Sequence, residues 1–424
     1  MQARTLKNYS ACALALACSI YQVTTASAAD SDSLFDGGHI KYAYENTQLP
    51  EDSLFRDYED SPLQDHIGSV RLKFSERIDR VKLSADYQLL AAHGDRLSLI
   101  RRTQGGQAGF IDDRYRLMDL THVFSEDTNE VIAHRLDRLA IDVSTENQFL
   151  RIGRQAISWG NGMFYNTMDL FNPFDPAAVD REYKTGDDML YAQQLLHSGD
   201  DIQAVWVVRR DDKGEVTSEV DSIAVKYHMF SGEREFDLLV SQHYDDTVLA
   251  FGSLSNVGEA VWRGDISYTD TDTDDVFSLV TSLSYSWYAM NRNMSGVIEY
   301  FYNGFGLTSD EFESGNIAGH PELLERIDRG ELYTYGRHYV AASLLIEMTP
   351  LWQLTPNLFI NAGDGSLLSQ LVSSYDLRQD MQLLAAASLP TGPAGTEFGG
   401  ANSPIPGKQL STGFSMFAQL AWYF

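Results

Sequence analysis

The last fourteen residues, Ser411 to Phe424 (STGFSMFAQLAWYF), constrain the fold more than any other stretch of the chain. Phe414, Met416, Ala418, Leu420, Trp422 and Phe424 are apolar and take every second position, with Ser415, Gln419 and Tyr423 between them. A period of two over this length is a β-strand with one apolar and one mixed face. Crossing a tilted membrane takes a strand of about 9–11 residues, so this one is long enough to span. Similar alternation recurs near 38–46, 67–76, 81–91, 134–145, 148–156, 187–196, 201–210, 219–229 and 234–243. It continues near 246–253, 258–268, 275–287, 293–303, 335–347, 351–361, 366–375, 380–389 and 411–424, which makes eighteen strands. No later stretch reaches the eighteen consecutive apolar residues of a helical span.

Connection lengths divide these strands into two sets. With both ends on one side of the membrane, 77–80, 146–147, 197–200, 230–233, 254–257, 288–292, 348–350 and 376–379 form one set, all tight. The opposite set holds every long connection, namely 47–66, 92–133, 157–186, 304–334 and 390–410. Single-chain bacterial barrels have an even strand number, short periplasmic turns and longer outer loops. The expected fold is all-β, a transmembrane antiparallel β-barrel of about 18 strands (16 is the alternative) with long extracellular loops. Tyr115 to Phe124 also alternates, but as a span it would make the count odd, so it is assigned to a folded outer loop. Glu322 to Glu331, after Pro321, is expected to form a short helix in another.

An ending on Phe424 with alternate apolar residues behind it resembles the closing strand of bacterial outer-membrane β-barrels. That resemblance implies three partners: the barrel-assembly machinery, which reads Phe424, outer-membrane lipid and lipopolysaccharide. The implied location is the outer membrane of a Gram-negative bacterium. The other end agrees. Arg4 and Lys7 precede an apolar run from Ala11 to Ile20 and then Ala26-Ser27-Ala28. A basic start, a short apolar core and an A-x-A site make a secretory signal peptide. The expected division is 1–28 as signal peptide and 29–424 as one barrel domain. Cys12 and Cys18 fall in the removed segment, so the mature chain has no disulfide, thiol catalyst or Cys-based zinc site. Only a short stretch separates the expected mature start from the first strand, which leaves no room for a TonB-dependent plug.

The formal charge is -28, and losing Arg4 and Lys7 with the leader makes it -30. Nucleic acid is excluded as a partner, because phosphate binding needs a basic face. Much of the negative charge belongs to expected loops such as Glu51–Asp65 and TDTDTDD at 269–275. Alternation places Arg71, Lys73, Lys82, Arg138, Arg151, Arg209, Lys226 and Arg263 inside, with Asp86, Asp142, Asp237, Asp265, Glu299 and Glu347. Charges belong there, since Arg or Lys facing lipid at mid-depth costs about 2–4 kcal/mol. The expected lumen is therefore mixed and slightly basic.

Phe149 to Asp188 has the strongest chemical texture. Its strand carries Arg151, Gly153, Arg154 and Gln155 and ends at Trp159-Gly160. Arg154 falls on the lipid phase; Gly153 either marks a bulge that turns it inward or leaves it near the membrane edge. Asn172-Pro173-Phe174-Asp175 is turn-forming, and a charged cluster that includes Arg181 and Lys184 follows. A G-R-Q-x-x-x-W-G strand followed by an N-P-x-D loop resembles outer-membrane porins of the alginate-export-like group and related uncharacterised proteobacterial barrels. Gly153, Arg154, Gln155, Trp159, Gly160, Asn172, Pro173 and Asp175 carry that resemblance. In that group a strongly basic pore exports a polyanion, whereas the basic excess here is modest.

The 157–186 loop is expected to fold inward and narrow the pore, bringing Arg151, Arg154, Arg181 and Lys184 near a passing solute. Its other reading is structural, stapled by pairs such as Arg181 with Asp175. The acidic turn at 269–275 lacks EF-hand spacing. No H-E-x-x-H, G-x-S-x-G or phosphate-loop pattern occurs. Neither a metal, a cofactor nor an enzymatic activity is expected. The sequence points to passive diffusion of small hydrophilic solutes, anionic ones among them, gated by inward loops. The alternative is a surface adhesin or receptor with a closed lumen.

Overall fold

The computed structural model describes residues 34–103, 112–313 and 316–424. The expected leader 1–28, with Cys12 and Cys18, lies outside the described residues. The strands are β1 (Phe35–Thr47), β2 (Leu63–Ile78), β3 (Val81–Gly94), β4 (Thr121–Asp127), β5 (Glu130–Ser144), β6 (Gln148–Gln155) and β7 (Asp187–Leu195). They continue as β8 (Asp201–Val207), β9 (Ser222–Ser231), β10 (Arg234–His243), β11 (Asp246–Val257), β12 (Ala260–Asp270), β13 (Asp275–Ala289) and β14 (Arg292–Tyr302). The last are β15 (His338–Thr349), β16 (Trp352–Asn361), β17 (Leu367–Arg378), β18 (Met381–Thr391), the short pair β19 (Ala401–Asn402) and β20 (Gln409–Leu410), and β21 (Ser415–Tyr423).

Eighteen of these close an antiparallel barrel. Each pairs with its neighbour in sequence, except that β3 pairs directly with β5 and β18 with β21. The seam joins β21 to β1 from His39↔Tyr423 to Thr47↔Ser415. β4 stands outside the ring. It covers the part of β5 that rises above β6, with Thr121 opposite Arg135. The alternating Tyr115–Phe124 segment is thus a rim element, and the even count survives.

Turn chemistry sets the ends of the hairpins. Met290 and Asn291 both have positive φ (52° and 60°) between β13 and β14. Two such residues make the turn whose twist matches the flanking strands. Alternation holds along most strands: Ile266, Leu238, Val240 and Ile298 are exposed toward lipid, while Asp265, Asp237 and Glu299 are buried inside. Register shifts near strand ends leave it intact, as at Phe35/Gly37, Glu347/Thr349 and Asp376/Arg378, but one bulge in mid-strand breaks it. The register of β3 on β5 slips between Asp86↔Arg138 and Tyr87↔Leu136. An extra residue reverses the facing beyond it, so Arg135 and Asp137 point inward as well as Arg138.

The inside is packed, not an unobstructed cylinder. Residues 156–186, between β6 and β7, fold into the lumen. Trp159, Met168 and Phe171 of this loop pack on Val205, Ala224, Leu239 and Ala250 of the wall. Tyr165 and Ala177 pack on Val280, Phe301, Tyr339 and Phe359. Toward the outside, Leu54, Phe55, Leu99, Leu307, Phe312, Leu323 and Leu410 form a separate apolar core shared by several outer loops. The helix Pro321–Asp328 contributes to it, with Pro321 at the start where a missing N–H costs nothing.

Candidate pore constriction

The inward loop is hung from the wall by hydrogen bonds from its own backbone. Asp265 on β12 accepts from Asn161 N at 2.6 Å. Glu299 on β14 accepts from the amides of Met163, Phe164 and Tyr165 at 2.6–2.9 Å. Gln370 on β17 donates to Ala177 O at 2.8 Å. On the far side, Lys41 of β1 pairs with Asp180 and Glu182, each at 2.6 Å. The loop therefore crosses the lumen.

The motif residues shape this crossing. Gly153 has φ +126°, and a Cβ there would lie 2.1 Å from Leu139 O on β5. Gly160 has φ +90° and presses against Asn166, whose Nδ2 donates to Trp159 O. Gln155 donates to Met189 O at 3.2 Å, and Trp159 Nε1 donates to Gln203 at 2.7 Å. Asn172 sits at φ 53°, Pro173 O accepts from the Tyr333 hydroxyl, and Asp175 accepts from Ala177 N at 2.8 Å. Burial pushes the Asp175 carboxyl up to about 7.

Between the returning limb, 180–185, and the β1–β5 wall lies a polar cavity of about 190 Å³. Lys41, Arg71 and Arg135 from the wall and Lys184 from the loop line it, with the carboxylates of Asp137 and Asp180. Four cations and two carboxylates face the cavity, so its immediate surface is net basic, while Glu182, Asp86 and Asp169 pair with Lys41, Arg71 and Lys184 from behind. Arg71 reaches Asp137 at 2.8 Å and Asp86 at 3.2 Å. Its guanidinium stacks 3.9 Å from the centre of the Tyr183 ring, and Lys73 approaches the same ring at 4.9 Å. Burial alone would raise Asp180 and Glu182, but the charge and hydrogen bond of Lys41 outweigh it and hold both below the usual carboxylate value. Lys184 pairs with Asp169 at 2.6 Å; burial still pushes Asp169 up to about 6.

The nominated pore residues therefore scatter. Arg71 and Lys184 line the cavity, Lys73 adjoins it through Tyr183, and Arg138 donates to Lys184 O beside it. Arg151 binds Asp142 through two bonds of 2.6 and 2.7 Å. Arg181 donates to Pro176 O of its own loop at 2.8 Å. Arg209 joins Asp187 and Ser222, Lys226 lies 3.4 Å from Asp237, and Arg263 donates to Ser284. Arg154 sits on the phase of Ile152, which is 52% exposed to the lipid side, yet Arg154 is only 1% exposed. Segment 112–120 covers it, and it binds Asp188 and Asp113 at 2.9 Å each. β5–β6 pairing runs through Gly153 without a shift, so the strand edge and not a bulge accommodates this Arg.

Of the charged lining residues, Lys41, Arg135 and Asp137 are absent from the inward set that alternation assigns. Arg135 and Asp137 were hidden by the bulge. Lys41 was legible, since Ile40, Tyr42 and Tyr44 alternate with His39, Lys41 and Ala43. Among the described residues no group of three or more His, Cys, Asp or Glu is placed to hold a metal. The acidic turn after β12 is closed by Thr271 N donating to Asp274 O at 3.2 Å.

No family model matches the sequence, and no curated protein matches it. Solved structures do. The outer membrane protein OpdK from Pseudomonas aeruginosa matches with a TM-score of 0.50 and 10% identity over 92% of this chain and 97% of its own. OccAB3 from Acinetobacter baumannii matches with a TM-score of 0.50 and 8% identity over 92% and 98%. The chain thus has the fold of an outer-membrane β-barrel of the porin type. The alginate-export resemblance rests on its motif alone.

Proposed function

We propose that this protein is a passive channel of the Gram-negative outer membrane, carrying small hydrophilic solutes past the inward loop with a preference for anions. What carries the reading is the net-basic cavity between the returning limb and the β1–β5 wall. Fixed charge sets selectivity where a pore is narrow, and four cations against two carboxylates give that place its sign. Lys73, Lys82 and Arg151, on the positions of β2, β3 and β6 that alternation assigns to the inside, would extend the polar lining. OpdK, which has a similar fold, is described as an outer membrane protein, and this agrees with the proposed location.

A second reading is favoured by one observation. Several outer loops share an apolar core of their own, which would suit a receptor with a fixed outer surface and a closed lumen. Planar-bilayer recordings of the purified protein separate the two. The channel reading expects stable single-channel steps; silent bilayers with correctly folded protein would overturn it in favour of the receptor.

A further inference from the structure

The returning limb of the inward loop lies across the one joint of the barrel that links the two ends of the chain. Three of its residues each engage both strands of that joint. Val179, 1% exposed, joins Ala43 of β1 and Phe417 of β21 in one apolar cluster, which Val372 of β17 and Leu384 and Ala386 of β18 complete. Asp180 accepts from Lys41 of β1 at 2.6 Å and from Gln419 of β21 at 3.1 Å. Glu182 pairs with Lys41 at 2.6 Å and accepts from the Tyr423 hydroxyl of β21 at 3.1 Å. Neither strand alone offers the complete set of partners.

We propose that residues 179–182 are an inner strap that locks the β1–β21 seam. The docking surface exists only once β1 and β21 have paired, so the strap seats after closure. Once seated, it ties the two strands by side chains in addition to their backbone ladder. Opening the seam would then separate Lys41 from Gln419 and Tyr423 and leave the half-buried carboxylates of Asp180 and Glu182 half-partnered, a state that costs free energy. The proposal does not depend on which solute passes.

Hydrogen exchange on the full chain in detergent micelles or lipid vesicles tests it. The double variant Asp180→Asn with Glu182→Gln is expected to speed exchange of the Lys41–Tyr44 and Gln419–Trp422 amides at least tenfold. Exchange of the β11–β12 amides around Leu249 and Ile266 should stay within twofold. If that variant does not fold, Gln419→Ala with Tyr423→Phe trims the same bonds and keeps every charge; about threefold faster seam exchange is expected. An unchanged seam, or equal acceleration at both joints, would overturn the proposal. In pulse-labelled refolding of the unaltered protein, protection of the 179–182 amides should follow that of the seam. Earlier protection of the strap would also overturn it.

Discussion

The two limbs of the inward loop meet the barrel wall in different ways. The first, 157–172, is buried through Trp159, Met168 and Phe171 against apolar wall residues. The second, 177–185, meets the wall largely through charge, with Asp180 and Glu182 each 2.6 Å from Lys41 of β1, while Lys184 ties it to Asp169 of the first limb. Apolar packing excludes water and seals its side of the lumen. Charged side chains need partners and hydration, and a polar gap survives beside them. The contrast teaches that one loop both plugs and lines this barrel, according to what it packs against.

Breaking the sealed side should have the largest effect. Trp159→Ala removes a buried indole and its bond to Gln203, and core changes of this type cost about 3–5 kcal/mol. Loss of first-limb docking should raise single-channel conductance severalfold. Next comes selectivity. Arg71→Met deletes one charge from the lining while Arg135 and Arg138 still partner Asp137. One charge near 4 Å in water is worth about 1 kcal/mol, so the anion-to-cation permeability ratio should fall about fivefold in reversal-potential measurements.

Acidity should act with opposite sign on the turn between the limbs, which holds Asp175, and on the second limb. Burial raises Asp175 to about 7 in the folded protein. Its contribution to stability is therefore full below the ordinary carboxylate value and declines as the pH climbs to about 7. Asp180 and Glu182 are held below that value by Lys41 despite burial. Their contribution is present above it and is lost as the pH falls through their folded values. Asp175→Asn should remove part of the decline in thermal midpoint between about pH 4 and 7, and Lys41→Met should flatten the acid limb. The smallest effect is expected at the outer turn. Asp272→Asn should leave stability within about 0.5 kcal/mol, and added Ca²⁺ should not shift its melting.

Much of this fold is legible in the sequence because membrane strands announce themselves twice. Alternation marks each strand, and the division into short and long connections fixes parity and sidedness. The inward course of 156–186 is legible too, from its length and its place among the outer loops. Its moorings are not. Asp265 and Glu299 are visible only as inward carboxylates, and nothing in their local sequence says that loop amides occupy them. Arg135 and Asp137 are lost to a one-residue slip that reverses facing without any glycine to signal it. Arg154 shows the converse. Its place on the lipid-side phase is legible, but segment 112–120, which covers it from a distance in sequence and holds it away from the expected path of a solute, is not.

Cysteine accessibility tests the central claim most directly, namely that the open path runs beside the charged limb. The expected mature chain has no cysteine, because Cys12 and Cys18 both precede residue 29. Ser69→Cys introduces a thiol into the cavity lining, and Ala341→Cys introduces one into the sealed side, where Ala341 is 0% exposed. A charged, membrane-impermeant methanethiosulfonate added during bilayer recording should cut the current of Ser69→Cys channels by more than half. It should leave Ala341→Cys channels unchanged. Block at Ala341→Cys with none at Ser69→Cys would contradict the account.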